Sequence, residues 1–225
     1  MGSPLPEIAE EDFRRGIEAS SPRALGASSL AALFVHYREL RRWNPKLSLI
    51  GPGTADEVLA RHYGEALEAL PLLPDSALEP AASSPSSLQN LVDLGSGGGF
   101  PGLVLAACCP GLRVTVVEAR EKKWSFLRTA SRKAGISCSC INSRVHVPLD
   151  EALPDTIHLL TLRALDLPGP VFEALRARLP RSGRLLLWQT LPQTGGPKGF
   201  KRLRTIHLPR SERRCIGEYG LEEAV

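Results

Sequence analysis

The stretch LVDLGSGGGFPG, residues 91–102, constrains this chain more than any other. An apolar run carrying one acid, Asp93, gives way to a run of glycines. Pro101 then stands where the first turn of a helix tolerates a missing N–H. The order is strand, glycine loop, helix, and the missing Cβ atoms open the backbone to a ligand.

The sequence around this stretch repeats the same alternation. LQNLVDLG, LRVTVVEA, ISCSCIN, TIHLLTLRA and GRLLLWQT read as strands. Helices are expected from Pro101 through Cys109, over REKKWSFLRTASRKAG and over GPVFEALRARL. Such spacing predicts an α/β fold whose mostly parallel sheet carries helices on both faces and binds ligands at the carboxyl ends of its strands.

The first seventy residues differ. Apolar positions in SSLAALFVHYRELRRW recur at three- and four-residue intervals, and DEVLARHYGEALEAL continues in the same manner. NPKLSLIGPG between them is a connector punctuated by Pro45, Gly51, Pro52 and Gly53, and PLLPDSALEPAASSPSS, residues 71–87, reads as a flexible linker. The expected organisation is therefore a helical part with its linker over 1–87 and an α/β ligand-binding domain over 88–225.

Charge adds a second constraint. Residues 1–119 hold 9 Lys/Arg against 14 Asp/Glu, whereas 120–225 hold 19 against 10, which favours an anionic partner such as nucleic acid for the second half. No apolar run approaches a membrane span, and MGSPLPEIAEEDF lacks the basic and apolar regions of a secretory signal, so a cytoplasmic protein without a membrane partner is expected. The five cysteines include no C-x-x-C pair and the histidines lack ligand spacing, so reduced structural thiols and no metal are expected.

Two cofactor readings of the glycines compete. Gly97, Gly99 and Gly102 satisfy the G-x-G-x-x-G dinucleotide fingerprint, which would make the chain a nicotinamide-dependent oxidoreductase. The strand, however, delivers Asp93, Gly95, Gly97 and Gly99 in the register of the class I methyltransferase loop, whose cofactor is S-adenosylmethionine. That molecule carries no pyrophosphate and needs ribose and an amino-acid moiety against bare backbone. Glu118, ending the second strand, can accept hydrogen bonds from both ribose hydroxyls.

The wider sequence resembles the bacterial 16S ribosomal RNA guanine-N7 methyltransferases, also called the glucose-inhibited division protein B family. The resemblance runs from about residue 38 to 190 and rests on an ordered set: LRRWNPKLSL, EVLARHYGEAL, LVDLGSGGGFPGLVLA, EAREKKWSFLR, and NSRV followed by LRAL. It implies a Rossmann-like class I fold with a helical N-terminal extension, S-adenosylmethionine as cofactor, and 16S ribosomal RNA or the small subunit as partner, with a monomer favoured. It also implies cofactor contacts at Gly95, Phe100, Val145, His146 and Arg163, beside Glu118. For Arg163 the residue-level alternative is an internal salt bridge, and for His146 a solvated loop histidine.

Several positions depart from the family pattern. Glu65 and Glu118 replace Asp, His146 replaces an acid, Ser48 and Ile50 replace Asn and Thr, and LLLWQT lacks a following Lys-Gly. That last departure motivates the alternative of a divergent RNA-binding paralogue without transfer activity. Guanine N7 is a free lone pair, so no nucleophile or general base is expected, and Phe100, Arg144 and Arg163 are candidates for positioning alone. RNA attraction is expected from the helix REKKWSFLRTASRK, with Trp124, Leu127, Ala130 and Ala134 on its packed face. The second candidate is KGFKRLRTIHLPRSERR, whose seven Lys/Arg face one Glu and equally suit the protection of a sheet edge.

Overall fold

In the computed structural model, residues 2–79, 88–191 and 196–222 are described. Helices α1 (Glu10–Ala19) and α2 (Ala27–Leu47) open the chain. Glu10, Glu11 and Asp12 place negative charge in the first turn of α1, where the helix dipole favours it. A π-helical turn, Leu59–Gly64, runs into the short helix α3 (Glu65–Leu67), and α4 (Asp75–Leu78) follows. The remainder alternates as β1 (Gln89–Leu94), α5 (Gly102–Cys108), β2 (Leu112–Val117), α6 (Glu121–Ala134), β3 (Ser139–Ile141), β4 (Leu159–Arg163), α7 (Gly169–Arg176), β5 (Arg184–Thr190), β6 (Phe200–His207) and β7 (Arg214–Leu221).

The seven strands form one sheet in the order β3-β2-β1-β4-β5-β7-β6. Pairing is parallel from β3 to β5, and β7 joins β5 antiparallel. The order reverses at β1, so the crevice beyond β1 and β4 is the place where such a sheet binds ligands. Burial explains the central strand sequences: Leu91, Val92, Asp93 and Leu94 of β1 are all buried, as helices cover both faces.

The expected alternation of strands and helices over 88–190 is present, with differences at particular elements. Helix α2 continues through Pro45 to Leu47, where a connector was expected. Asn44 explains why the last turn survives: its Oδ1 accepts from Ile50 N at 2.7 Å and its Nδ2 donates to Ser3 O at 2.7 Å, fastening the helix end from two sides. In place of one helix over 56–70 there is the π-turn followed by α3, and ISCSCIN yields only the three residues of β3. The buried stripe of α6 holds Phe126, Leu127, Ala130 and Ser131. Trp124 is only partly buried and donates its indole N–H to Cys140 O at 3.0 Å, so the stripe is rotated from the expected face.

Of the Pro/Ser-rich stretch 71–87, residues 80–87 lie outside the described residues. In the described part, Leu72, Leu73 and Ala77 are buried in the same hydrophobic core as α2 and α5. That core is stitched by aromatic rings: Phe13 lies 5.2 Å from Tyr37 and 5.4 Å from Tyr63, pairs each worth about 1 kcal/mol beyond burial. A second core, on the other face of the sheet, gathers Leu160, Ile157, Leu175, Leu185 and Tyr219. All five cysteines are free. Among the described residues no helix is long and apolar enough to cross a membrane, and no cluster of metal-ligating side chains occurs.

Candidate functional site

The glycine loop leaves β1 and turns into α5, and it is braced from both directions. From the sheet side, buried Asp93 accepts hydrogen bonds through Oδ2 from Gly102 N at 3.1 Å and through Oδ1 from Thr161 Oγ1 at 2.7 Å. Burial is the dominant influence on this carboxyl and lifts its pKa to about 6, while those bonds and the charge of Arg163 pull the other way. From the helical side, His36 of α2 reaches Gly98 O with Nε2 at 3.0 Å and Tyr63 Oη with Nδ1 at 2.7 Å. The ring is wholly buried, and burial lowers its pKa to about 4, so it is neutral. Because a carbonyl can only accept, Nε2 carries the proton and Nδ1 accepts from the tyrosine hydroxyl.

The glycines serve this packing as much as any ligand. Gly99 has φ +88, and a Cβ there would lie 3.0 Å from His36 Nε2 and 2.9 Å from Leu103 Cδ1. At Gly102 the Cβ would fall 2.6 Å from Asp93 Oδ2. Gly97 is the position open to a ligand: its Cβ would meet only Gly95 O, at 3.7 Å.

A cleft of ≈ 550 Å³ opens at the carboxyl ends of β1 and β2, within the ordinary range for small-molecule sites. Gly95 and Gly97 form one wall, Glu118, Arg120 and Lys123 a second, Ser143, Arg144 and Val145 a third, and the segment 164–168 the fourth. Glu118 is fixed by its neighbours: Oε2 accepts from Gly97 N at 3.0 Å and Oε1 from Arg120 N at 2.9 Å. Burial, with the nearby Arg120 charge, lowers the Lys123 pKa. A larger hollow of ≈ 660 Å³ lies beside Arg181, Lys201 and Leu203, at the end of the sheet where β5 begins, away from the loop.

Of the sequence-predicted contacts, Gly95, Glu118 and Val145 share this cleft. His146 is exposed on the adjoining loop. Phe100 is turned into the aromatic core, with ring centroids 4.9 Å from Tyr63 and 5.3 Å from His62. Arg163 forms an ion pair, its Nη2 lying 2.8 Å from Glu65 Oε2 and 2.8 Å from Arg61 O. Arg144 lines the cleft and is exposed.

Sequence reasoning named Asp93 and Gly97 in the glycine register, but it did not anticipate Lys123 and the segment 164–168 as walls of this cleft, nor the group around Glu65. Lys123 lies five residues after Glu118, in the first turn of α6, a weaker signal. Residue Ala164 has φ +52, a backbone state that sequence does not announce for alanine.

The GidB family, described as rRNA small subunit methyltransferase G, matches residues 29–191. A ribosomal RNA small subunit methyltransferase G from Stenotrophomonas maltophilia is 32% identical over 186 residues, covering 82% of this chain and 78% of its own. One from Desulfotalea psychrophila is 33% identical over 166 residues, covering 70% of each. Among solved structures, a SAM dependent methyltransferase from Aquifex aeolicus aligns with a TM-score of 0.52 at 16% identity, covering 73% of this chain and 92% of that one. A variant of MtNAS in complex with S-adenosylmethionine aligns with a TM-score of 0.56 at 16% identity, covering 94% and 90%. At that identity these structures establish the class I methyltransferase fold alone.

Proposed function

The chain belongs to the GidB family of small-subunit ribosomal RNA methyltransferases, and on that premise we propose that it transfers a methyl group from S-adenosylmethionine to N7 of a guanine in 16S ribosomal RNA. The observation that carries the cofactor reading is the Glu118 carboxylate, held by Gly97 N and Arg120 N at the mouth of a cleft with bare backbone opposite. The donor set fits: a carboxylate for a ribose diol, glycine backbone at Gly95 and Gly97 for close approach, and Val145 as an apolar wall. Phe100 supports the loop from behind, through the aromatic core.

When bound, the cofactor supplies an electrophilic methyl on a sulfonium. Guanine N7 presents a lone pair on the major-groove edge and needs no proton removed before it attacks. The work left to the protein is alignment and exclusion of water. Rigidity of the loop serves that purpose, since Asp93 and His36 fix it from two sides. Arg144, on the cleft wall, is suited to the RNA side of the site through charge.

The test is calorimetric titration with S-adenosylmethionine and with a nicotinamide dinucleotide, followed by transfer of a tritiated methyl group to unmodified 16S ribosomal RNA or small subunits. Binding of the first ligand alone, with label that maps to a guanine cleavable after borohydride and aniline treatment, is the expected result. Label at another atom, or no label on either substrate, overturns the assignment.

A further inference from the structure

The C-x-C pair Cys138 and Cys140, at the outer edge of the sheet, stands apart from the other cysteines. Cys108, Cys109 and Cys215 are buried, whereas these two are only partly covered. Residues two apart along an extended segment share a face, and here they bring their Sγ atoms to 3.8 Å from each other at the start of β3. Ser131 Oγ of α6 lies 4.0 Å from Cys140 Sγ. On its other side Cys138 borders a hollow of ≈ 600 Å³ that Arg113 of β2 and Ala106 of α5 also line, so a solute can approach the pair from there.

The two thiols are not equivalent. The hydrogen bond that Cys138 donates is the largest influence on Cys140 and lowers its pKa to about 7; burial opposes this, while Ser131 and the charge of Arg128 assist it. The same bond, and then burial, raises the pKa of Cys138. At neutral pH the first proton to leave the pair therefore comes from Cys140, with the Cys138 S–H beside the thiolate. Burial instead raises Cys108 to about 12 and Cys109 further still, so those thiols are inert. No third metal-ligating side chain joins Cys138 and Cys140 among the described residues, so a closed four-ligand zinc site is not what they build.

We propose that Cys138 and Cys140 form a thiol–disulfide exchange site that reacts with low-molecular-weight disulfides such as oxidised glutathione and closes reversibly into an intrachain disulfide. In the first step the Cys140 thiolate attacks one sulfur of the disulfide RSSR. The bond from Cys140 Sγ to that sulfur forms, the S–S bond of RSSR breaks, and RS⁻ leaves and takes up a proton. Cys138 then loses its proton to solvent and attacks Cys140 Sγ, expelling the second RS⁻, which is protonated in turn. The two cysteines give up two electrons, and RSSR is reduced to two RSH. Closure needs the sulfurs to move from 3.8 Å to about 2.0 Å. Cys140 is held in the ladder opposite Val116, whereas Cys138 precedes the strand, so the movement falls on the residue outside the ladder. Neither thiol lines the cofactor cleft, and the proposal stands apart from the methyl-transfer reading.

The experiment incubates the full chain, Cys138→Ala and Cys140→Ala with oxidised glutathione at neutral pH. The reaction is quenched in acid and mapped by mass spectrometry of proteolytic peptides, with circular dichroism as the check on folding. The unsubstituted chain is expected to lose two hydrogens from the peptide spanning 138–140, a change that dithiothreitol reverses, while Cys108, Cys109 and Cys215 stay unmodified. Cys138→Ala lacks the thiol that closes the disulfide and should accumulate a glutathione adduct on Cys140. Cys140→Ala keeps only the thiol that burial disfavours as thiolate and should react about 10-fold more slowly. A glutathione adduct that persists on the unsubstituted chain without closing would overturn the proposal, as would equal rates in the two variants or no reaction while the chain stays folded. If an Ala variant misfolds, the presence or absence of the 138–140 link in the unsubstituted chain decides the matter.

Discussion

Replacing His36 by Gln probes the joint between the N-terminal helices and the glycine loop, and its effect has a distinctive pH dependence. In the folded protein the imidazole has a pKa of about 4, lowered by burial, against 6.5 for the free side chain. The unfolded chain therefore binds more protons on this residue between those values, and the native state loses stability as pH falls through that window, the contribution being intact above it. Linkage puts the loss from His36 at about 2 kcal/mol on going from about pH 8 to about pH 5. Gln cannot titrate and keeps both a donor and an acceptor, so His36→Gln should be less stable at neutral pH by about 1 kcal/mol yet lose about 2 kcal/mol less on acidification. His62, lowered to about 3, titrates with the same sign, and Asp93, raised to about 6, with the opposite sign, but both are retained in the variant and cancel in the difference. Urea unfolding of the two proteins at both pH values reads it directly. Parallel stability profiles would mean that the ring is not the buried, neutral bridge between Tyr63 and Gly98.

Gly102→Ala puts a methyl 2.6 Å from Asp93 Oδ2 and 2.7 Å from Val116 Cγ1 while straining the N–H bond to the carboxylate, and should cost about 3 kcal/mol in urea unfolding. A cost under about 1 kcal/mol would show slack in the loop that the packing does not suggest. Glu118→Ala should weaken S-adenosylmethionine binding by about 10-fold or more with the sheet intact by circular dichroism, since it removes a carboxylate able to accept charge-assisted bonds. An unchanged dissociation constant would place the ribose elsewhere. Trp188→Phe deletes the donor to Glu65 O and should lower stability by about 1–2 kcal/mol in thermal unfolding; no change would remove Trp188 as the anchor of Glu65.

The α/β architecture was legible because its signals are local. Residues 91–94 are continuously apolar save one acid, the glycines follow at once, and period and punctuation then place each strand and helix over 88–190 in order. The same reading placed Gly95, Glu118 and Val145 together, since each follows a strand that ends at one edge of one parallel sheet. Phe100 shows the limit. The family resemblance implies a cofactor contact there, but side-chain direction is set by Tyr63 and His62 from helices that sequence does not register against the loop. Glu65 is the stronger case: its ion-pair partners Arg163 and Arg214 stand 98 and 149 residues away, so no window of sequence contains the cluster. Proline at 45 marks a connector on local punctuation alone, and the fastening of Asn44 to Ser3 and Ile50 carries the helix past it to Leu47.

Buried titratable groups with displaced pKa values are ordinarily candidates for catalysis, yet the most displaced groups beneath this loop stand outside the cleft, whose wall carries only the lowered Lys123 among such groups in the described residues. His36, His62 and Asp93 all depart far from their free values, yet none lines the cleft. Each instead spends hydrogen bonds on the protein: His36 on Gly98 and Tyr63, His62 Nε2 on Thr54 at 2.9 Å, Asp93 on Gly102 and Thr161. Their displacement follows from the burial needed to brace a loop, since burial is the first cause at all three. A transfer to guanine N7 asks for that division of labour. The acceptor brings its own lone pair, so a site gains nothing from a base near neutrality and gains rate from a loop that does not move. Polar side chains are therefore best used beneath the loop, where they fix its backbone, leaving Glu118 and the backbone of Gly95 and Gly97 to face the ligand.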